Sequence, residues 1–263
     1  MNALETKSKT TYLSPEVIDY YANYGTLQAP EEAIFKILKP KLSEARMLDI
    51  GVGGGRTTVF FAPEVKSYTA IDYSEGMIER CKQRFSERFP EANFFVGDAT
   101  NLDEYQDGSL DFVLFSFNGI DYMTMPARKE FLRKARRMLA PGGQFCFSTH
   151  NIAWLKKMTV AAVIHFRLNM FAVLSKVLRR IKIRRINAAQ FAAADKSDFV
   201  YINDGSHGFG LEQYFIRASH QLELLREAGF KNIRGFSLET GKEFASEKDL
   251  CASEDSWMYF LCS

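Results

Sequence analysis

The stretch Asp49-Ile50-Gly51-Val52-Gly53-Gly54-Gly55-Arg56-Thr57 decides the reading of this 263-residue chain. It follows a short apolar run, Met47–Ile50, and places glycine at 51, 53, 54 and 55. Without a Cβ in the way, backbone can turn sharply and come close to a ligand at the carboxyl end of a strand. A dinucleotide fingerprint GxGxxG starting at Gly51 needs a small residue at position 56, and Arg56 stands there. The spacing DxGxGxG is met instead, through Asp49, Gly51, Gly53 and Gly55. In that version Asp49 orders the turn by accepting backbone N–H bonds, or reaches a cationic ligand group through water.

Outward from the turn, short apolar runs alternate with amphipathic stretches. Met47–Ile50, Tyr68–Ile71, Phe94–Val96, Phe112–Phe115 and Phe145–Ser148 read as strands, and Thr57–Phe61, Glu75–Phe89 and Ala127–Leu139 as helices. This alternation predicts an α/β fold of parallel βαβ units covered on both faces. Upstream, residues 15–39 have helical periodicity, with Pro15 and Pro30 in first turns and Pro40 as a stop. Downstream, Gln221–Ala228 reads as a helix closed by Gly229, and Lys231–Phe236 and Trp257–Leu261 as two last strands.

Two further acids stand where strands end. Asp72 lies 21 residues beyond Gly51, where a carboxylate can accept both hydroxyls of a ribose; its competing role is a helix cap, for which Ser74 is available. Tyr73 and Met77 follow it, an aromatic ring and a thioether suited to sandwich an adenine. Asp98-Ala99 offers a carboxylate beside a backbone amide, which suits the adenine edge. Alone, Asp98 reads as a turn residue; in register with the other two it reads as a ligand.

With these residues in order, the chain resembles the class I S-adenosylmethionine-dependent methyltransferases. Asp49–Gly55 is similar to that family's first motif, Asp72 with Ser74 and Met77 to its DxSxxM segment, and Asp98-Ala99 to its adenine corner. Leu110–Phe115 resembles its fourth strand, and Arg137–Gly143 the turn before its fifth. The likeness runs from about Arg46 to Thr149 and resumes from Phe215 to Cys262. It implies a Rossmann-like, seven-stranded, mostly parallel sheet of order 3-2-1-4-5-7-6, its last strand antiparallel, with N-terminal helices and an α-helical cap insert. The implied organisation is a single methyltransferase domain over 1–263: an N-terminal helical lid at 1–45, core at 46–150 and 200–263, and a cap at 151–199. The implied cofactor is S-adenosyl-L-methionine, leaving as S-adenosyl-L-homocysteine, and no metal is expected.

Arg56 and Phe115 join the cofactor candidates. In the loop after the fourth strand, Asn118, Asp121 and Tyr122 are substrate-binding candidates, with Tyr214. Tyr12, Tyr20, Tyr21 and Tyr24 cluster ahead of the sheet, where the family often folds a helix over the methionine end; Tyr21 is assigned to the cofactor and Tyr24 to catalysis. His150, at the end of the fifth strand, and His207, in the loop Asn203–Gly208, are general-base candidates, since imidazole titrates near neutrality. A neutral amine as nucleophile needs no base at transfer.

The composition is that of a globular protein, 46% hydrophobic and 25% charged. Cys81, Cys146, Cys251 and Cys262 form no CxxC pair, and the first 14 residues carry no secretory pattern, so a reducing, cytoplasmic setting is expected. The net charge of +2 hides an uneven distribution: Asn151 to Ala194 carries nine Lys and Arg and no acid, leaving −7 for the rest. Helical apolar spacing between Trp154 and Ile186 predicts amphipathic helices with a cationic face. A lid over an acidic or phosphate-bearing small-molecule acceptor ranks first, peripheral membrane contact second and RNA third, because the basic cluster lacks interleaved aromatics; a solvated face or dimer interface is the fourth reading. The function expected is methyl transfer to a small molecule, at nitrogen rather than oxygen. The alternatives are an RNA or membrane-lipid methyltransferase using the insert and, from another class, a non-catalytic S-adenosylmethionine-binding module. The sequence specifies no oligomeric state.

Overall fold

The computed structural model describes residues 25–158 and 170–263, the side chains of residues 170–173 and 207 excepted. Helix α1 spans Ala29–Leu42, opened by Pro30 in its first turn and buried along Ile34, Leu38 and Leu42. Pro40 does not stop it: the proline lies inside the last turn, where only one intrahelical bond is lost, and Leu42 continues the buried stripe.

Strands β1 (Arg46–Ile50), β2 (Ser67–Asp72), β3 (Asn93–Val96), β4 (Leu110–Phe115) and β5 (Leu139–Asn151) pair in parallel in the order β3-β2-β1-β4-β5. Between them lie α2 (Thr58–Phe61), α3 (Glu75–Phe85) and α4 (Met125–Met138). Helix α4 shows why these segments fold as they do. Thr124 caps it by accepting from the Ala127 amide, Pro126 fits its first turn, and Arg128, Phe131, Leu132, Ala135 and Met138 form one buried stripe at helical spacing. Strand β5 starts earlier than the apolar run at Phe145 indicates. Pro141-Gly142-Gly143 lies within it, where the register against β4 shifts between Leu110 and Phe112.

After β5 come helices α5 (Met170–Ile186) and α6 (Ala188–Ala193), then β6 (Phe199–Ile202), β7 (Gln213–Ile216), α7 (Ala218–Glu227), β8 (Arg234–Ser237), α8 (Glu247–Ala252) and β9 (Trp257–Cys262). Strand β9 runs antiparallel to β5 along its length, and β8 pairs antiparallel beyond it. Counted without β6 and β7, the strands follow the expected order 3-2-1-4-5-7-6 with the last antiparallel.

The pair β6–β7 adds to that expectation. His150 pairs with Trp257 of β9 on one edge and with Phe215 of β7 on the other. Strand β7 therefore extends the sheet on the β4 side of β5, past the tip of β4, at the end of the sheet where the glycine turn lies. Ile152, Leu155, Met158, Ile183, Val200, Ile202 and Phe215 form a separate small core beneath α5. Among the described residues, no helix is long and apolar enough to cross a membrane.

Candidate active site

The tips of β1, β2, β3 and β4 surround one cavity of about 340 Å³, inside the range of roughly 300–1,000 Å³ usual for small-ligand pockets. Asp49, Gly51, Gly53, Arg56, Asp72, Tyr73, Met77, Asp98, Ala99, Phe115 and Tyr122, all singled out in the sequence, lie on its wall. Gly97, Ser116 and Phe117, which end the third strand or follow the fourth, line it too, as do Thr100 and Met123, which only their neighbourhood in sequence announces.

The turn is pinned by backbone. The Gly51 and Val52 amides donate to the Ile71 carbonyl at 2.8 and 3.1 Å, with Gly51 and Gly53 at φ 65° and 54°. A Cβ on Gly53 would meet nothing within 4 Å, so this glycine opens backbone to the cavity. One on Gly51 would meet the Phe115 ring at 3.0 Å. Gly55 differs: it is not on the cavity wall, and a Cβ there would lie 2.3 Å from the Phe85 ring. Its role is to let α3 pack under the turn, which corrects its assignment to the cofactor. Gly55→Ala, at φ 81° and against that ring, is expected to lower unfolding free energy by about 2–4 kcal/mol in urea titration. Wild-type stability in the variant would refute this packing role.

Asp72 binds both halves of the pocket. Its Oδ2 accepts from the Gly53 amide and its Oδ1 from the Ser74 amide, each at 2.9 Å. Ser74 takes the capping role of α3, its hydroxyl accepting from Met77. A carboxylate has about four acceptor positions, so two remain for a pair of hydroxyls. Burial pushes the Asp72 carboxyl up to about 6 against these two bonds. Asp98 makes the turn expected of it, with Oδ1 accepting from the amide and hydroxyl of Thr100 at 2.9 and 2.8 Å.

Asp49 does not order the turn through backbone amides. It accepts from the Thr57 hydroxyl at 2.5 Å and the Tyr68 phenol at 2.7 Å, and burial raises its carboxyl to about 6. Arg56 acts as a clasp. Its guanidinium holds Glu31 in α1 through two bonds of 2.5 and 2.7 Å, donates to Ser116 at 2.7 Å, and lies 4.9 Å over the Phe117 ring. Burial raises the Glu31 carboxyl, but the bonds and charge of Arg56, with Ser116 and the Gln28 amide, outweigh it and hold the group below its usual range. Glu31 escapes a sequence reading because its partner is 25 residues away; the helix-opening pattern Gln28–Glu31 signals only a cap.

Three substrate candidates prove to be framework. Asp121 is fully buried, its Oδ1 held by Arg128 at 2.8 Å and Thr149 at 2.5 Å, its Oδ2 by the amide and Nδ1 of His150 at 2.8 and 2.7 Å. Tyr214 is fully buried, its ring stacked on Phe199 and under the Arg128 guanidinium. These placements correct both assignments, because neither residue reaches the cavity. Asn118, at φ 60°, is buried behind the wall with its Nδ2 3.3 Å from His150 Nε2. Its amide oxygen has no partner among the described residues. His150 is likewise behind the wall, packed between Phe215 and Trp257. His207 falls in the helical turn Ser206–Phe209, its side chain outside the described residues, as are Tyr21 and Tyr24. Among the described residues, no group of three or more His, Cys, Asp or Glu is placed to hold a metal ion.

Residues 47–143, from β1 into β5, match the family model described as a methyltransferase domain. Over 109 residues the chain is 35% identical to a probable phthiotriol/phenolphthiotriol dimycocerosates methyltransferase of Mycobacterium ulcerans, covering 41% of this chain and 40% of that protein. Over 118 residues it is 32% identical to a ubiquinone biosynthesis O-methyltransferase of a Caulobacter strain, covering 45% of each. The matches thus span less than half the length of these curated relatives. Among solved structures, the 1,6-didemethyltoxoflavin-N1-methyltransferase of Burkholderia thailandensis, with 1,6-didemethyltoxoflavin and S-adenosylhomocysteine bound, aligns with a TM-score of 0.59 at 16% identity. That alignment covers 99% of this chain and 87% of the other, and at this identity it is a likeness of fold. The glycine turn and the strand order accompany this match: residues 47–143 are similar to a methyltransferase domain, and the fold is that of the S-adenosylmethionine-dependent methyltransferases it aligns with.

Proposed function

We propose that this protein moves a methyl group from S-adenosylmethionine to a small-molecule acceptor, at nitrogen rather than oxygen. The observation that carries the reading is the convergence of Asp72, Asp98 and the Gly51–Gly53 turn on one cavity beside Phe115 and Tyr122. When bound, the cofactor supplies an already activated methyl on a sulfonium. What is left to the chain is alignment and exclusion of water. Asp72 would take the ribose hydroxyls, Asp98-Ala99 the adenine edge, and Tyr73 and Met77 its faces. Phe115, Phe117 and Tyr122 would line the methyl end, where aromatic rings stabilise a cation modestly and do not oppose the fading of its charge.

The preference for nitrogen rests on His150 and Asn118. Both imidazole nitrogens are engaged, Nδ1 by Asp121 and Nε2 by the Asn118 amide, so the ring is not placed to take a hydroxyl proton. A neutral amine needs no such base. The test is formation of S-adenosylhomocysteine with paired amine and hydroxyl acceptors, and mass spectrometry of the product. Methylamine products support the reading; exclusive O-methylation overturns the nitrogen assignment, and no turnover with any acceptor overturns the enzyme.

The raised carboxyls give a pH dependence with a defined sign. Asp49 and Asp72 sit near 6 against a usual 3.8, so their contribution to folding is fully present below about pH 4 and lost as pH rises through about 6. Cofactor-free protein is therefore expected to lose thermal stability from about pH 4 to about pH 6. Affinity for S-adenosylhomocysteine should move the opposite way, falling about tenfold per unit below about pH 6 as Asp72 protonates. Calorimetric titration across this range checks it, and a flat profile would contradict the ribose role of the ionised carboxylate.

A further inference from the structure

We propose that α5 is a membrane-surface helix that docks the protein on bilayers containing anionic phospholipid. The helix is fastened to the protein along one line. Ile183 is buried in the small core beneath it, and Asn187 at its end donates to the carbonyls of Ile183 and Asn203, at 2.7 and 2.9 Å, and accepts from the Asn203 amide at 2.9 Å. At about 100° per residue, Leu174, Leu178 and Ile181 fall on the face opposite Ile183. They are 54%, 57% and 37% exposed, and Ile186, at the end of the helix, is 47% exposed. Four of the seven exposed large apolar side chains among the described residues thus belong to this one helix.

The charge around this ridge is one-signed. Lys176, Arg179, Lys182, Arg184 and Arg185 lie on the same helix, and for none of them is a carboxylate within ion-pair distance among the described residues. The contacts they make are with neutral groups: Arg184 donates to the Met158 carbonyl at 3.3 Å, and Lys182 stands 4.0 Å over the Phe209 ring. Elsewhere, exposed cations such as Lys36, Lys39 and Arg234 do have acidic partners. No acid occurs from Asn151 to Ala194 to neutralise the face.

An exposed aliphatic ridge within uncompensated cations matches the boundary between acyl chains and acidic headgroups. Two copies of the face would oppose like charges, and among the described residues the ridge offers no aromatic ring for stacking on nucleobases. The face also sits at the functional end of the sheet, since α5 rests on β6–β7 and β7 pairs with His150 and Asn151. The inference does not depend on methyl transfer.

The experiment is co-sedimentation of the full chain with phosphatidylcholine vesicles, with and without phosphatidylglycerol. Binding is expected only with phosphatidylglycerol, weakening as salt rises. The double variant Leu174→Glu/Leu178→Glu should bind these vesicles ~tenfold or more weakly, and so should Lys176→Glu/Arg185→Glu. Both variants change exposed side chains, so their thermal unfolding and S-adenosylhomocysteine affinity should match wild type, which separates docking from folding and from the cofactor site. Absence of vesicle binding, equal binding by the variants, or tighter binding of single-stranded RNA than of vesicles at the same salt would each overturn the proposal. Self-association lost in Leu174→Glu/Leu178→Glu, without vesicle binding, would assign the face to a second copy instead.

Discussion

Asp72→Ala is expected to raise the dissociation constant for S-adenosylhomocysteine by about 30- to 1,000-fold, the loss of two charge-assisted hydrogen bonds worth together about 2–4 kcal/mol. The carboxylate sits at the tip of β2 with one backbone amide on each oxygen, which leaves a second acceptor position on each. Removing it leaves the Gly53 and Ser74 amides without that acceptor, at a cost of order 1–3 kcal/mol each. Removing a buried carboxylate whose ionised form is disfavoured offsets part of this cost. The fold should therefore survive, as circular dichroism would show, while calorimetry reports the weakened affinity. Asp72→Asn, which keeps one acceptor oxygen, should fall between. Wild-type affinity in a folded Asp72→Ala protein would remove the ribose assignment.

The second large effect is on stability. Arg128→Met is expected to lower the free energy of unfolding by about 3–5 kcal/mol, because it leaves Asp121 charged and buried with its cation gone. Arg128 and Asp121 are both fully buried. The guanidinium also donates to Thr149 at 2.9 Å and Gln221 at 2.6 Å, tying α4 to β5 and α7. Asp121 in turn orients His150 from two sides. The double variant Arg128→Met/Asp121→Asn should recover part of the loss, since the uncompensated charge goes with the carboxylate. Urea titration of the single and double variants measures the coupling. A single-variant loss below about 1 kcal/mol would show that this network is not a keystone of the fold.

Much of the cofactor pocket is legible because it is local. The glycine turn, Asp72 and Asp98 each end a strand, and parallel pairing brings successive strand ends to one edge of the sheet; once the alternation of elements is read, their meeting follows. The acceptor side is not local. Asp121, singled out for its position after β4, is consumed by Arg128, Thr149 and His150, partners 7 to 29 residues away that no periodicity marks. Arg56 was legible as an oddity, the wrong residue for a dinucleotide turn, but not as the partner of Glu31. The strands β6 and β7, four residues each, are too short for a periodic signal. The turn residues Asn203-Asp204-Gly205-Ser206 between them are their clearest mark, as a hairpin connection. Gly55 shows the same limit in reverse: spacing assigns it to a ligand, whereas the Phe85 ring beneath it explains why only glycine fits.

A crystal structure of the protein grown with saturating S-adenosylhomocysteine tests the central claim most directly. The expected result is the ribose hydroxyls on the Asp72 carboxylate, the adenine against Asp98 and Ala99, and the sulfur directed toward Phe115 and Tyr122. A nucleoside seated away from these strand tips, or a cavity left empty at that concentration, would contradict it.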